Sequence, residues 1–214
     1  MKYQIIPVTP FQQNCSLIWC DETKAAAVVD PGGDMDRILA EVDKLGVKLE
    51  KILLTHGHID HVGAAKELAD HAGIPIIGPH KADSFWLDNL PEQSKHFGFA
   101  HSEPFAPTQY LASGDTVTLG SLTLEVLHCP GHTPGHIVFF SATSRTVWVG
   151  DVLFHGSIGR TDFPQSNHQD LIDSITKNLW PLGRDVEFVP GHGPISTLGT
   201  ERDQNPFVAD QLFS

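Results

Sequence analysis

The stretch Thr55-His56-Gly57-His58-Ile59-Asp60-His61 decides how this chain is read. It places four side chains able to bind a metal, His56, His58, Asp60 and His61, within six residues. Neutral imidazole is the commonest protein ligand for a metal, and a carboxylate oxygen is its natural companion on a divalent ion. Side chains at alternate positions of an extended segment point the same way, so His56 and His58 can face one ion. Asp60 and His61, just beyond, can face a second. A polar turn does not call for this density of ligands. A closed structural zinc site would favour cysteine thiolates.

Three later segments offer more ligands: Gly131-His132, Gly150-Asp151 and Gly191-His192. With the first loop they make seven groups, enough for two metals and an open coordination position. That is a hydrolytic layout rather than a structural one. Each group follows an apolar run that reads as a strand: 52–54 before His56, 122–127 before His132, 147–149 before Asp151 and 186–189 before His192. A glycine or proline at each transition lets the backbone turn sharply. Loops at strand ends are where reactive groups collect on a rigid scaffold.

The remaining pattern alternates strands and helices. Residues 3–8, 15–20 and 24–30 read as strands. Asp34 is placed to cap a helix carrying Ile38, Leu39, Val42 and Leu45, with Gly46 as its stop. A second helix is expected from Gly63 to Ala72, and a strand at 74–77. Residues 80–107 suggest two short helices with loops, their aromatics being read as core. Gly120-Ser121 is a two-residue hairpin signal between 116–119 and 122–127. Residues 137–140 and 147–149 form another strand pair, Leu171, Ile172, Ile175 and Leu179 mark a helix, and Val186 to Val189 make a last strand.

Composition narrows the partners. The 214 residues fit one domain, 1–214, and no apolar run approaches a membrane span. The start, Met1 to Pro7, reads as a strand rather than a signal peptide, which places the protein in the cytoplasm. Cys15, Cys20 and Cys129 show no zinc-clip or redox spacing and read as reduced thiols, Cys129 as packing. A formal net charge of −12 argues against nucleic acid, which needs clustered Lys and Arg. Bound metals would supply positive charge that the chain otherwise lacks.

Taken together, Thr55 to His61, Pro130-Gly131-His132-Thr133, Gly150-Asp151 and Gly191-His192-Gly193-Pro194 resemble the metallo-β-lactamase superfamily, in the same order. Val29-Asp30-Pro31-Gly32-Gly33, Gly159-Arg160-Thr161-Asp162-Phe163-Pro164, and Glu201-Arg202 with Asn205-Pro206-Phe207 are similar to the short, single-domain glyoxalase II enzymes, the hydroxyacylglutathione hydrolases. The resemblance implies an α/β fold, a four-layer αββα sandwich with its site at one edge of two sheets. It implies that His56, His58 and His132 hold one metal, that Asp60, His61 and His192 hold another, and that Asp151 bridges them. It implies two divalent transition metals, zinc foremost, with iron or manganese also suited to imidazole and carboxylate ligands. The implied substrate is a small thioester, S-D-lactoylglutathione, hydrolysed to D-lactate and glutathione.

Two ions about 3.5–4 Å apart share a hydroxide made from water of lowered pKa, and it attacks the carbonyl carbon. One ion stabilises the developing oxyanion. A thiolate leaving group needs no strong general acid, and Asp60 can orient the nucleophile. Arg160 is the candidate contact for a substrate carboxylate, with a surface ion pair as the competing reading. Asp30 is read either as a hydrogen-bond acceptor for a ligand imidazole or as a turn former. His128 and His136 are read as core or supporting residues. His71, His80, His96, His101 and His168 are read as solvated or capping.

Two features point elsewhere. Longer glyoxalase II enzymes hold the glutathione carboxylates with a C-terminal helical domain, whereas only about twenty residues follow His192 here, too few for such a domain. Persulfide dioxygenases share most of these motifs and use one iron, which would rest on His56, His132 and Asp151. A superfamily nuclease is disfavoured by the charge, and a non-enzymatic metal-binding role has no supporting feature. The sequence does not give the oligomeric state.

Overall fold

The computed structural model describes residues 1–212. Its frame is two sheets packed face to face. The first is built from β1 (Lys2–Val8), β2 (Gln13–Trp19), β3 (Ala25–Val29), β4 (Lys48–Leu53) and β5 (Ile76–Ile77), in the spatial order β1-β2-β3-β4-β5. The second draws on β6 (Thr116–Leu119), β7 (Leu122–His128), β8 (Ile137–Ser141) and β9 (Thr146–Gly150). A two-stranded ribbon, β10 (Leu153–Phe154) with β11 (Ser157–Ile158), follows β9. Then come β12 (Glu187–Pro190) and β13 (Ser196–Thr197), giving the second sheet the order β13-β12-β9-β8-β7-β6.

The layers follow from strands that are apolar on both faces, as expected for sheets covered on both sides. In β3, Ala26 and Val28 pack toward helices, while Ala25, Ala27 and Val29 pack toward the second sheet. In β8 and β9, Val138, Phe140, Val147 and Val149 face helices, while Ile137, Phe139 and Trp148 meet the first sheet. One outer layer comprises α1 (Met35–Leu45), α2 (Ile59–Val62), α3 (Ala65–Ala72), α4 (Ser84–Asp88) and α5 (Leu90–Phe97). The other comprises α6 (His168–Asp173), which continues through a π turn to Leu179, and α7 (Leu198–Gln204). This is the expected αββα sandwich.

Several local expectations need correcting. Asp34 precedes α1 but sits in the left-handed region, φ 51°, and makes no side-chain cap. Its carboxylate accepts instead from the Thr9 N–H at 2.8 Å, tying α1 to the β1–β2 loop. The helix expected from Gly63 to Ala72 forms as α3, two residues late at Ala65, and a separate short helix precedes it. α2 begins at Ile59, so His61 stands on a helical turn. The backbone of Gly32 packs so close to Gly63 that a Cβ there would lie 2.6 Å from its carbonyl oxygen. Residues 80–107 hold a 3-10 turn, Lys81–Asp83, besides the two short helices. The hairpin at Gly120-Ser121 forms as expected, with Leu119 opposite Leu122. Among the described residues no helix is long and apolar enough to cross a membrane.

Candidate metal centre

The strand ends converge at one edge of the sandwich. β4 leads to His56, β7 to His132, β9 to Asp151 and β12 to His192. β9 and β12 are parallel neighbours, with Pro190 opposite Gly150, so Asp151 and His192 emerge side by side. Gly191 has to be glycine here. A Cβ on it would collide with the Asp151 carboxylate and lie 2.6 Å from Cε1 of His61.

The side chains form adjoining clusters. One ligand atom each from His56, His58 and His132 lie within 4.8 Å of one another, as do atoms of Asp60, His61 and His192. Nε2 of His132 is 3.0 Å from Nδ1 of His58. Nε2 of His192 is 3.0 Å from Asp60 Oδ2. Asp151 lies between the groups, with Oδ1 3.3 Å from His61 Nε2 and Oδ2 3.6 Å from His132 Nε2 and 3.8 Å from His192 Nε2. All seven positions anticipated from the sequence are therefore brought together.

The outward-facing nitrogens are pinned. His61 donates from Nδ1 to Asp30 at 2.9 Å, His132 to the carbonyl of Arg160 at 2.8 Å, and His192 to the carbonyl of Phe11 at 3.2 Å. Such contacts fix the tautomer with Nε2 bare and aimed inward. Nδ1 of His56 is engaged by Thr55 Oγ1 at 3.0 Å. Nε2 of His56, Nε2 of His61 and Oδ1 of Asp151 are buried and have no hydrogen-bond partner. Buried polar atoms are rarely left so. Inward lone pairs without donors are the condition a cation would satisfy, and the donor set fits divalent metals.

The electrostatics differ between the two sides of the centre. Burial holds His56 and His58 well below the usual histidine range, reinforced by the neighbouring imidazoles. Burial also lowers His132. Burial works against protonation of His61, but Asp151 and Asp60 outweigh it and raise its pKa well above the ordinary value. Burial likewise opposes charge on Asp151, yet His61, His192 and His132 keep its pKa far below the carboxylate range. The centre thus carries neutral imidazoles on one side and an anionic bridge in the middle.

Supporting residues complete it. His136, read as supporting or core, is both: it stacks on His56 at 4.7 Å between ring centroids and accepts from the Asp151 N–H. Asp30 holds Thr55 and His61 and itself turns the chain at φ 52°. Asp83 is a residue that the sequence pattern does not single out. It is fully buried and accepts from Gly57 N–H, Thr133 Oγ1–H and Gly135 N–H, joining the His56–His58 loop to the His132 loop. Nothing in its neighbourhood of sequence distinguishes it from a helix-start aspartate.

A cavity of about 360 Å³ opens over the clusters. Arg160 lines it, but its guanidinium is paired with Asp162 at 3.0 and 2.9 Å and lies over the Phe163 ring at 4.5 Å. Two of the aromatics read as core, Trp86 and Phe97, line this cavity as well, whereas Phe105 belongs to the core. The short helix α4 and the last residue of α5 carry Trp86 and Phe97 to the cavity, a placement that spacing does not reveal. The three cysteines are free and buried.

The family description of the metallo-β-lactamase superfamily matches residues 8–192. The chain belongs to this superfamily. Among its relatives, the hydroxyacylglutathione hydrolase GloC of Haemophilus influenzae is 47% identical over 97% of this chain and 98% of its own length. Among solved superfamily structures, the BLEG-1 B3 metallo-β-lactamase superposes with a TM-score of 0.89 at 34% identity, covering 97% of this chain and 99% of that one. TTHA1623, crystallised in a di-iron-bound form, superposes with a TM-score of 0.87 at 35% identity, over 96% of this chain and all, 100%, of its own. The buried His/Asp clusters are consistent with a binuclear superfamily centre.

Proposed function

We propose that the chain is a binuclear metal-dependent thioester hydrolase acting on S-D-lactoylglutathione to give D-lactate and glutathione. The observation that carries this reading is the place of Asp151, anionic and within 4 Å of imidazoles from both clusters, at the floor of a substrate-sized cavity. The relative GloC, similar over nearly the whole chain, supports the same substrate class. His56, His58 and His132 would hold one ion, Asp60, His61 and His192 the other, with Asp151 shared and zinc the favoured metal.

Bound divalent ions would supply Lewis acidity toward the thioester carbonyl and lower the pKa of water. The chain's own part is positioning and proton handling. Asp60, whose Oδ2 lies 3.0 Å from Nε2 of His192, reaches the cavity and is placed to orient the attacking water and receive its proton. The water oxygen bonds to the carbonyl carbon, the C–S bond breaks, and the thiolate leaves with the electron pair. A thiolate is a weak base, so departure needs no separate acid in the cavity. The aromatic walls lower the effective dielectric beside the reacting carbonyl and so strengthen the electrostatics within.

The test is release of free thiol from S-D-lactoylglutathione by metal-replete protein, run beside oxygen uptake with glutathione persulfide. Thiol release without oxygen uptake is expected. Persulfide-dependent oxygen consumption with no thioester turnover would move the assignment to a mononuclear-iron dioxygenase.

A further inference from the structure

The cavity's walls differ in chemistry from its floor. The floor is acidic and histidine-rich, but the walls are aromatic. On one side the Trp86 and Phe163 rings lie 4.4 and 4.9 Å from the His58 ring, and 6.2 Å from each other. On the other, Phe11 meets Phe97 edge-on at 6.2 Å, and Phe154 lies 6.4 Å from His192. Phe11 and Phe97 are 46% and 37% exposed, so large apolar surface is held open at the mouth, a cost that a ligand's apolar group would offset. Arg160 is the one Lys or Arg among the described residues lining the cavity, and Asp162 already takes its guanidinium in both hydrogen bonds. The two carboxylates of a glutathionyl group therefore meet no unpaired arginine or lysine on these walls, whereas an aromatic ring meets a surface on either side.

We infer that the site selects its thioesters by an aromatic or branched-aliphatic acyl group, and that the thiol carrier contributes little to selection. The inference rests on the thioester-hydrolase reading and deepens it. Phe11 and Phe163 are tied to the centre as well as to the walls. The backbone carbonyl of Phe11 accepts from His192; the Phe163 ring carries the guanidinium of Arg160, and the backbone carbonyl of Arg160 accepts from His132. Part of the aromatic wall is thus fixed to the residues of the centre itself.

The experiment compares S-mandeloylglutathione with S-D-lactoylglutathione, which differ by phenyl for methyl, and each acyl group on glutathione with the same group on N-acetylcysteamine. The mandeloyl thioester is expected to have the higher kcat/KM by at least about tenfold, and loss of the glutathionyl carboxylates to cost less than about threefold. Phe97→Ala, at a half-exposed helix end where the fold tolerates truncation, is expected to erase most of the phenyl preference. Equal kcat/KM for both acyl groups, or a tenfold loss on changing carrier, would overturn the inference while leaving hydrolysis intact. If no thioester turns over, the hydrolase reading fails, and binding still decides the wall chemistry. S-benzylglutathione should then quench Trp86 fluorescence at a concentration at least about tenfold lower than S-methylglutathione, judged against Trp86→Phe. Equal affinities would overturn it.

Discussion

His61 donates from Nδ1 to Oδ2 of Asp30 across 2.9 Å, while the same carboxylate accepts the N–H and hydroxyl of Thr55. A residue on the loop after β3 thereby sets the ring orientation of a histidine on α2 and the start of the histidine loop after β4. Asp30→Asn keeps the size but offers an N–H where His61 needs an acceptor. Affinity for the second metal is expected to fall by about 10–100-fold, read by competition with a chelator. Unchanged affinity would mean that Asp30 serves the turn alone.

Metal content separates the two clusters. The wild-type protein is expected to bind up to two transition-metal ions per chain, and His192→Ala one, by elemental analysis after dialysis. Asp151→Ala should disturb both ions and lower kcat by at least about 10³-fold, more than the loss of one general acid or base. Saturation at one ion in wild type and His192→Ala alike would contradict the paired arrangement.

Gly191→Ala tests the close approach of β12 to the centre. The added methyl would press on Asp151 and on the His61 ring. Displacement of reacting groups by about 1 Å can cost 10²-fold, and a loss of that order in kcat/KM is expected. The protein should remain folded at a cost of about 1–3 kcal/mol, measured by denaturant titration, since only local overpacking is introduced.

Asp83 should give stability an unusual dependence on pH. Burial pushes its pKa up to about 7, against the hydrogen bonds from Thr133, Gly135 and Gly57. The folded state therefore binds a proton that the unfolded chain, titrating near an ordinary aspartate at about 3.9, has already released. This contribution is fully present below the unfolded value and is lost as pH rises through about 7. Wild-type stability relative to Asp83→Asn should accordingly decline between about pH 4 and 7 by at most about 1.4 kcal/mol per unit, then level off. Parallel pH profiles for the two proteins would show that Asp83 titrates normally.

The seven clustered residues are legible in the sequence because His132, Asp151 and His192 each follow an apolar run ended by glycine or proline, and because a polar turn has no need of the ligand density in Thr55–His61. The layers are legible through strands such as β3 and β8, whose two faces are both apolar. What stays hidden depends on distance across the fold. Asp83 reads locally as a helix-start residue, and only the approach of the Gly57 and Thr133 loops makes it a clasp. Trp86 and Phe97 are aromatics on short helices. Whether such residues fill a core or face a cavity is set by the layer above them, which periodicity does not encode. Arg160 lies at the cavity as anticipated, but its partner Asp162, two residues on, leaves its charge engaged.

The centre straddles a seam in the chain. His56, His58, Asp60 and His61 all precede the irregular connection after α5, whereas His132, Asp151 and His192 all follow it. Each half carries one sheet, and the faces that meet, Leu53 and Val29 against Phe139 and Trp148, are apolar. A chain nicked in that connection would leave two inert fragments, each with an incomplete set of donors. Chemistry would return only on their reassociation, making this fold a natural substrate for split-protein complementation, with turnover as the reporter that the two sheets have met.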